Sequence, residues 1–188
     1  MSYSNIADLR KTAVYPANHG PCDMSEKQPT LAEIKERREI ATRRIKEDTG
    51  IDHDMIKNIV HGFYAKVRED EMLGPVFAEK VENWGHHLDR MVMFWSSVAL
   101  ATGNYDGRPM QKHLPLKITR HHFDRWLQLF ALTLSEHCKE AAARHFMERA
   151  LRIASSFEIG IAAHNGVILS KGERYDPVTS WSPGNGDT

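Results

Sequence analysis

An all-α domain is the fold class this sequence predicts, and three observations predict it. Apolar residues recur at three- and four-residue spacing through several long segments, the signature of amphipathic helices. Helix-starting residues such as Thr30, Asp52 and Thr119 stand just before those segments, and Gly50, Gly103 and Gly166 stand just after them. No segment alternates apolar and polar residues long enough to make a half-buried strand. There is no internal repeat and no sustained heptad, so a solenoid and a long coiled coil are both excluded.

The elements follow in chain order. Residues 1 to about 29 contain Pro16, Gly20, Pro21 and Pro29 with little apolar periodicity, and read as a flexible extension. Thr30-Leu31-Ala32-Glu33 is a capping box, in which the Thr side chain accepts from the Glu33 amide and the Glu carboxylate reaches back. The helix it opens runs to about Asp48 and stops at Gly50. Its only apolar points are Leu31, Ile34, Ile40 and Ile45, so it reads either as a loosely attached, solvated arm or as a docking element. Asp52 caps the next helix, whose stripe is Ile56, Ile59, Val60, Phe63 and Val67 with Tyr64 at its edge. Leu73-Gly74-Pro75 stops that helix, and a short helical turn with Val76, Phe77 and Val81 follows. A long helix from about Asn83 to Thr102 carries Trp84, Leu88, Met91, Trp95, Val98 and Ala99 on one face, with His87 on its flank near Phe94 and His86 turned to solvent. Thr119 caps a helix with the stripe Phe123, Trp126, Leu127, Phe130 and Leu134. On it His121 points outward and His122 lies near the polar boundary. The last helix starts near Lys139, carries Phe146, Ala150, Ile153, Ala154, Phe157 and Ile161, and ends at Asn165-Gly166. The organisation expected is an extension over 1–51, a helical domain over 52–166, and a disordered tail over 167–188 that is rich in Gly, Pro, Ser and Thr.

Composition narrows the function. The chain has 188 residues, enough for one core with length to spare. Lys+Arg and Asp+Glu each number 25, which argues against a general nucleic-acid binder. No run of about 18 apolar residues predicts a membrane span. The first residues lack the basic-then-apolar pattern of a secretory signal. Cys22 and Cys138, two distant thiols, fit a reducing cytoplasm better than a disulfide scaffold. Eleven histidines are the one excess.

The stretch Asn104–Leu116 places a single histidine, His113, among Gly107, Pro109 and Pro115, and so on a constrained loop between apolar helices. Three apolar faces carry a polar residue where a bland core would use Phe or Leu: Tyr64, His87 and Trp126. A haem pocket needs this division, one imidazole ligand on one side and hydrogen-bond donors on the other. Taken singly, each residue has an ordinary reading: a boundary histidine, core aromatics with a polar tip, a loop histidine. Composition and spacing therefore give a helical domain with a candidate metal or haem site.

Several pieces in order sharpen this. They are Phe63-Tyr64, Val67-Arg68 and Asp70; Leu73-Gly74-Pro75 with Phe77; Trp84 with His87; and Phe94-Trp95. Tyr105 with Gly107 and Pro109, His113-Leu114, and Phe123 with Trp126-Leu127 and Leu129-Phe130 complete the series. From Asp52 to Ala163 the chain resembles the group III truncated haemoglobins. The resemblance implies a truncated globin fold, a two-over-two helical sandwich around a b-type haem, here with an N-terminal extension helix. It implies His113 as the iron ligand and Tyr64, His87 and Trp126 as the distal groups, with His87 as a gate or a donor. Phe63 becomes a pocket wall, and Phe94 and Trp95 become haem contacts. Arg90 and Lys112 are candidate propionate partners, as is Arg120 at the start of the next helix. The extension before Asp52 and the tail after Asn165 depart from the family pattern.

The ligands expected are dioxygen, nitric oxide, carbon monoxide or peroxide. Distal donors slow ligand release, which suits dioxygen–nitric oxide or peroxide chemistry better than transport. The chain shows no flavin or nicotinamide module, so turnover requires an external reductant. A haem-based gas sensor or helical interaction module, with the charged helix as output surface, is the alternative. A third class, a non-haem hydrolase using His53-Asp54, lacks further inward carboxylates and histidines on the neighbouring stripes.

Overall fold

The computed structural model describes residues 28–177, so the reading of residues 1–27 and of 178–188 lies outside it. Among the described residues there is no strand, and seven helices follow one another. They are α1 (Leu31–Thr49), α2 (His53–Glu69), α3 (Leu73–Lys80), α4 (Trp84–Leu100), α5 (Pro109–His113), α6 (Arg120–His137) and α7 (Glu140–His164). Helix α2 packs on α4, α6 packs on α7, and α2 meets α6 across the middle, giving one pair over another. No described helix is long and apolar enough to cross a membrane.

The caps form as the sequence predicts. Thr30 and Glu33 close the capping box, with the Glu33 amide 3.3 Å from Thr30 Oγ1 and the Thr30 amide 2.6 Å from Glu33 Oε2. Asp52 Oδ1 accepts from the Met55 amide at 2.7 Å, and Thr119 Oγ1 from the His121 amide at 3.2 Å. Ile56, Ile59, Val60, Phe63 and Val67 are all buried. Each such side chain contributes about 1.5–3 kcal/mol relative to exposure.

The structure decides one reading left open, that of α1, and departs from expectation in four places. Helix α1 has no buried residue, yet it is docked: Thr42 Oγ1 donates to the Leu100 carbonyl at 2.6 Å, and Ile45 packs against the core. Leu73, Gly74 and Pro75 form the first turn of α3 instead of lying in the break. Asp70 ends α2 and satisfies the Met72 and Leu73 amides at 3.1 and 3.0 Å, while Pro75 needs no amide partner in a first turn. Helix α4 stops at Leu100, earlier than Thr102, because Ala101 turns the chain with φ at 57°. His113 is the last residue of a short helix, with Pro109 at its start supplying a pre-set φ, and not a loop residue. Finally, 167–177 does not behave as a structureless tail. Tyr175 and Asp176 are buried, and the Arg120 amide donates to the Tyr175 carbonyl at 2.9 Å.

Candidate functional site

The site is built from α2, α4, α5 and α6. Tyr64 lies on the inner face of α2, buried. Its ring meets Phe63 edge-on at 4.9 Å, Phe77 at 5.7 Å and His87 of α4 at 5.0 Å. His87 is also held edge-on by Trp84 at 5.7 Å. Phe63 links this group to Trp126 of α6 at 5.5 Å and to Phe130 at 5.3 Å. Trp126 stacks on Phe130 at 5.4 Å. The three polar-tipped residues read from the sequence are thus linked in a chain of rings, Phe63 meeting Tyr64 and Trp126, and Tyr64 meeting His87.

Trp95 is 2% exposed and stacks on Phe130 at 4.7 Å, so it is sealed into the core with that ring. Phe94 is half-buried and meets Tyr105 at 5.2 Å. Arg90 and Lys112 are both exposed. The Arg90 guanidinium lies over the Tyr105 ring, 5.9 Å from its centroid. No cluster of three or more His, Cys, Asp or Glu among the described residues, His53-Asp54 included, has the arrangement of a metal site.

His113 Nδ1 is 2.7 Å from the Pro109 carbonyl oxygen. A carbonyl only accepts, so Nδ1 carries the proton and Nε2 keeps its lone pair. That is the tautomer a metal-ligating imidazole requires, with the other nitrogen oriented by a carbonyl. Burial lowers the His113 pKa against the raising effect of this bond, which favours the neutral ring. On its other side the ring meets Phe157 of α7 at 4.3 Å. Helix α5 is seated on α7 by Met110, whose sulfur would lie 2.6 Å from a Cβ at Gly160, so a larger residue there would displace the Met110 side chain.

The electrostatics separate the two histidines from ordinary surface ones. Burial lowers the His87 pKa, and His113, Arg90 and His86 lower it further. His113 is therefore near enough for a charge there to disfavour one on His87. His87 Nε2 is a buried side-chain nitrogen with no hydrogen-bond partner in the protein. Such an atom carries a desolvation cost of about 1–3 kcal/mol unless something outside the chain satisfies it. Burial raises the Tyr64 phenol far above its usual value, with Tyr105 adding to the shift, so the hydroxyl remains a donor. An imidazole with a free, correctly oriented Nε2, an orphaned nitrogen on a second imidazole, a protonated phenol and an aromatic lining fit a haem with its ligand.

Sequence reasoning missed Tyr105, Met110 and Phe157 as parts of this site. The Pro109–His113 spacing held one signal, since residues four apart meet on a helix. Gly160 gave no hint of Met110, because that contact joins distant parts of the chain.

The bacterial-like globin family matches residues 46–157, more than half of the chain. A group 3 truncated haemoglobin of Campylobacter jejuni is 33% identical over 121 residues, covering 62% of this chain and 95% of that protein. The crystal structure of a group III truncated haemoglobin from Campylobacter jejuni superposes with a TM-score of 0.55 at 31% identity, over 65% of this chain and 95% of that one. The helical pairs, the site between them and these likenesses agree: the chain is a haem-binding globin of the bacterial-like globin family, of the group III truncated-haemoglobin type.

Proposed function

We propose that the protein holds a b-type haem through His113 and uses Tyr64, His87 and Trp126 to retain a diatomic ligand for redox chemistry rather than transport. The observation that carries this is the pairing of an oriented, neutral His113 with an orphaned His87 Nε2 beside the Tyr64 ring. When bound, haem supplies an iron that takes an imidazole on one face and a small ligand on the other. Tyr64 and Trp126 are O–H and N–H donors, and neutral His87 has one N–H and one lone pair. A donor toward an electron-rich guest contributes about 1.5–3 kcal/mol. At about 1.4 kcal/mol per decade that slows release roughly ten- to a hundredfold.

Slow release suits reaction of dioxygen with nitric oxide to give nitrate, or donor-assisted peroxide cleavage, each drawing electrons from an external reductant. Carbon monoxide is expected to bind and to gain less from the donors. Arg90 and Lys112 serve as the propionate partners in this reading, and Phe63, Phe94 and Trp95 as the apolar frame. The docking of α1 through Thr42 speaks against its being a free output arm, so the sensor reading stands second.

The test is an absorption spectrum of the haem-supplied protein in ferric, ferrous and carbonyl forms, with His113→Ala alongside. An intense Soret band that shifts with each form and is lost or altered in His113→Ala is the expected result. A band indifferent to His113 overturns the assignment.

A further inference from the structure

Glu158 of α7 is only 2% exposed, and a carboxylate so placed demands partners. Both its oxygens accept from Arg174 Nε, at 2.7 and 2.9 Å, and Oε1 also accepts from the Tyr175 amide at 2.8 Å. The far side of the same guanidinium reaches α6: Arg174 Nη2 donates to Asp124 Oδ1 at 2.9 Å and to the Arg120 carbonyl at 3.3 Å. The Arg120 amide in turn donates to the Tyr175 carbonyl, and the buried Tyr175 ring seals the segment down. Burial alone would lower the Arg174 pKa, but its bonds to Glu158 and Asp124 raise it, so the pair of carboxylates faces a permanent cation. The segment around Arg174 is therefore a strap joining the N-terminal turns of α6 to the C-terminal third of α7.

One anchor point lies beside a contact of His113, and the other follows His113 along the chain. Glu158 follows Phe157, the residue whose ring lies 4.3 Å from the His113 imidazole. Gly160, on which Met110 and hence α5 rests, lies one half-turn further along α7. On the other side the chain leaves α5 after His113 and reaches Thr119, the cap of α6, with Arg120 and Asp124 in the turns that follow. Any change in the separation of α6 and α7 at this end thus moves the helix that His113 packs on relative to the helix its chain leads into. The family match ends at residue 157, so Glu158 and Arg174 lie beyond it.

We propose that Glu158, Arg174 and Asp124 form a clamp whose role is to position the His113 imidazole, through Phe157 and α5 on one side and the start of α6 on the other. They are positioning residues for the iron ligand, and the inference rests on the assignment of His113 made above.

The experiment uses the full-length, haem-loaded protein with Arg174→Met, the milder Arg174→Lys and Asp124→Asn, and the exposed Arg144→Met as a control. Three quantities are measured: the iron–histidine stretching frequency of the ferrous form by resonance Raman, the rate of haem transfer to excess apomyoglobin, and Tm. The expected result is a shifted or broadened iron–histidine band and haem loss faster by about fivefold or more in Arg174→Met, corresponding to roughly 1 kcal/mol. Arg174→Lys and Asp124→Asn are expected to give smaller shifts in the same direction, and Arg144→Met none. If Arg174→Met does not fold, the two milder variants carry the comparison. A lowered Tm with the band and haem-loss rate unchanged would mean that the clamp only stabilises the fold, and overturns the proposal. No change in any quantity overturns it too. A wild-type protein whose Soret band ignores His113 overturns the clamp and the haem assignment together, which separates that failure from failure of the clamp alone.

Discussion

Tyr64→Phe removes one hydroxyl and leaves the ring. The ring contacts to Phe63, His87 and Phe77, at 4.9, 5.0 and 5.7 Å, are edge-on contacts that Phe retains. Stability should therefore change by less than about 1.5 kcal/mol, the usual limit for one neutral hydrogen bond. The effect on the ligand is larger, because burial keeps the phenol protonated and excludes competing water. Losing about 1.5–3 kcal/mol of donor stabilisation speeds dioxygen release roughly ten- to a hundredfold. The assay is stopped-flow replacement of dioxygen by excess carbon monoxide in wild type, Tyr64→Phe, His87→Leu and the double variant. Carbon monoxide is the less electron-rich guest, so its own release should quicken much less. An unchanged dioxygen off-rate in Tyr64→Phe would refute the donor role. An equal acceleration for both gases would also refute it, since that pattern means a loosened pocket. If Tyr64 and His87 address the same guest, their effects will fall short of additive in the double variant.

Three further outcomes are expected. Burial lowers the pKa of His87, His113, His122 and His145 below the ordinary value of about 6.5, so the unfolded chain binds protons first on acidification. Stability of the haem-free protein is then full above about pH 6.5 and falls as pH drops toward the folded values; urea titrations should show this, with a shallower slope in His113→Gln, and an unchanged slope would sink the idea. Gly107→Ala puts a methyl 2.3 Å from the tip of the Tyr105 ring, an overpacking worth about 1–3 kcal/mol by chemical denaturation, and Tyr105→Ala in the same chain should relieve most of it. Asp70→Ala strips the acceptor from the Met72 and Leu73 amides and from Arg125, a loss of about 1–2 kcal/mol, of which Asp70→Asn should recover part because an amide oxygen still caps the turn.

Helices were legible in the sequence where periodicity and caps agreed. Thr30, Asp52 and Thr119 sit at the N-caps expected of them, and the stripe from Ile56 to Val67 is buried as read. The boundaries that shifted are those decided by turn geometry. Pro75 opens a helix because a first turn tolerates a missing amide, and Ala101 ends one because a non-glycine residue takes a left-handed φ. Candidate site residues with an odd chemistry for their position, Tyr64, His87, Trp126 and His113, were visible one at a time. Their mutual geometry was not, because it is set between helices: Phe63 of α2 meets Trp126 of α6, Tyr64 of α2 meets His87 of α4, and His113 of α5 meets Phe157 of α7. The charged strap was read as disorder for a physical reason: it was taken together with the Gly-, Pro-, Ser- and Thr-rich residues after it, and partners distant in the chain, Glu158 and Asp124, make Arg174 structural.

One cause serves both sides of the proposed pocket. Burial lowers His113 and His87 and raises Tyr64, so a low-dielectric interior leaves all three neutral near pH 7. For His113 neutrality means a lone pair to give, oriented by the Pro109 carbonyl. For Tyr64 it means a proton to share, and for His87 a nitrogen that nothing in the chain satisfies. The same burial makes these histidines a liability in acid, because each must charge where charge is disfavoured. In the proposed reading, ligand capture and acid sensitivity are therefore two consequences of one burial. Opening that interior to water, by displacing Trp84 or Phe77 from around His87, is expected to weaken the first while relieving the second.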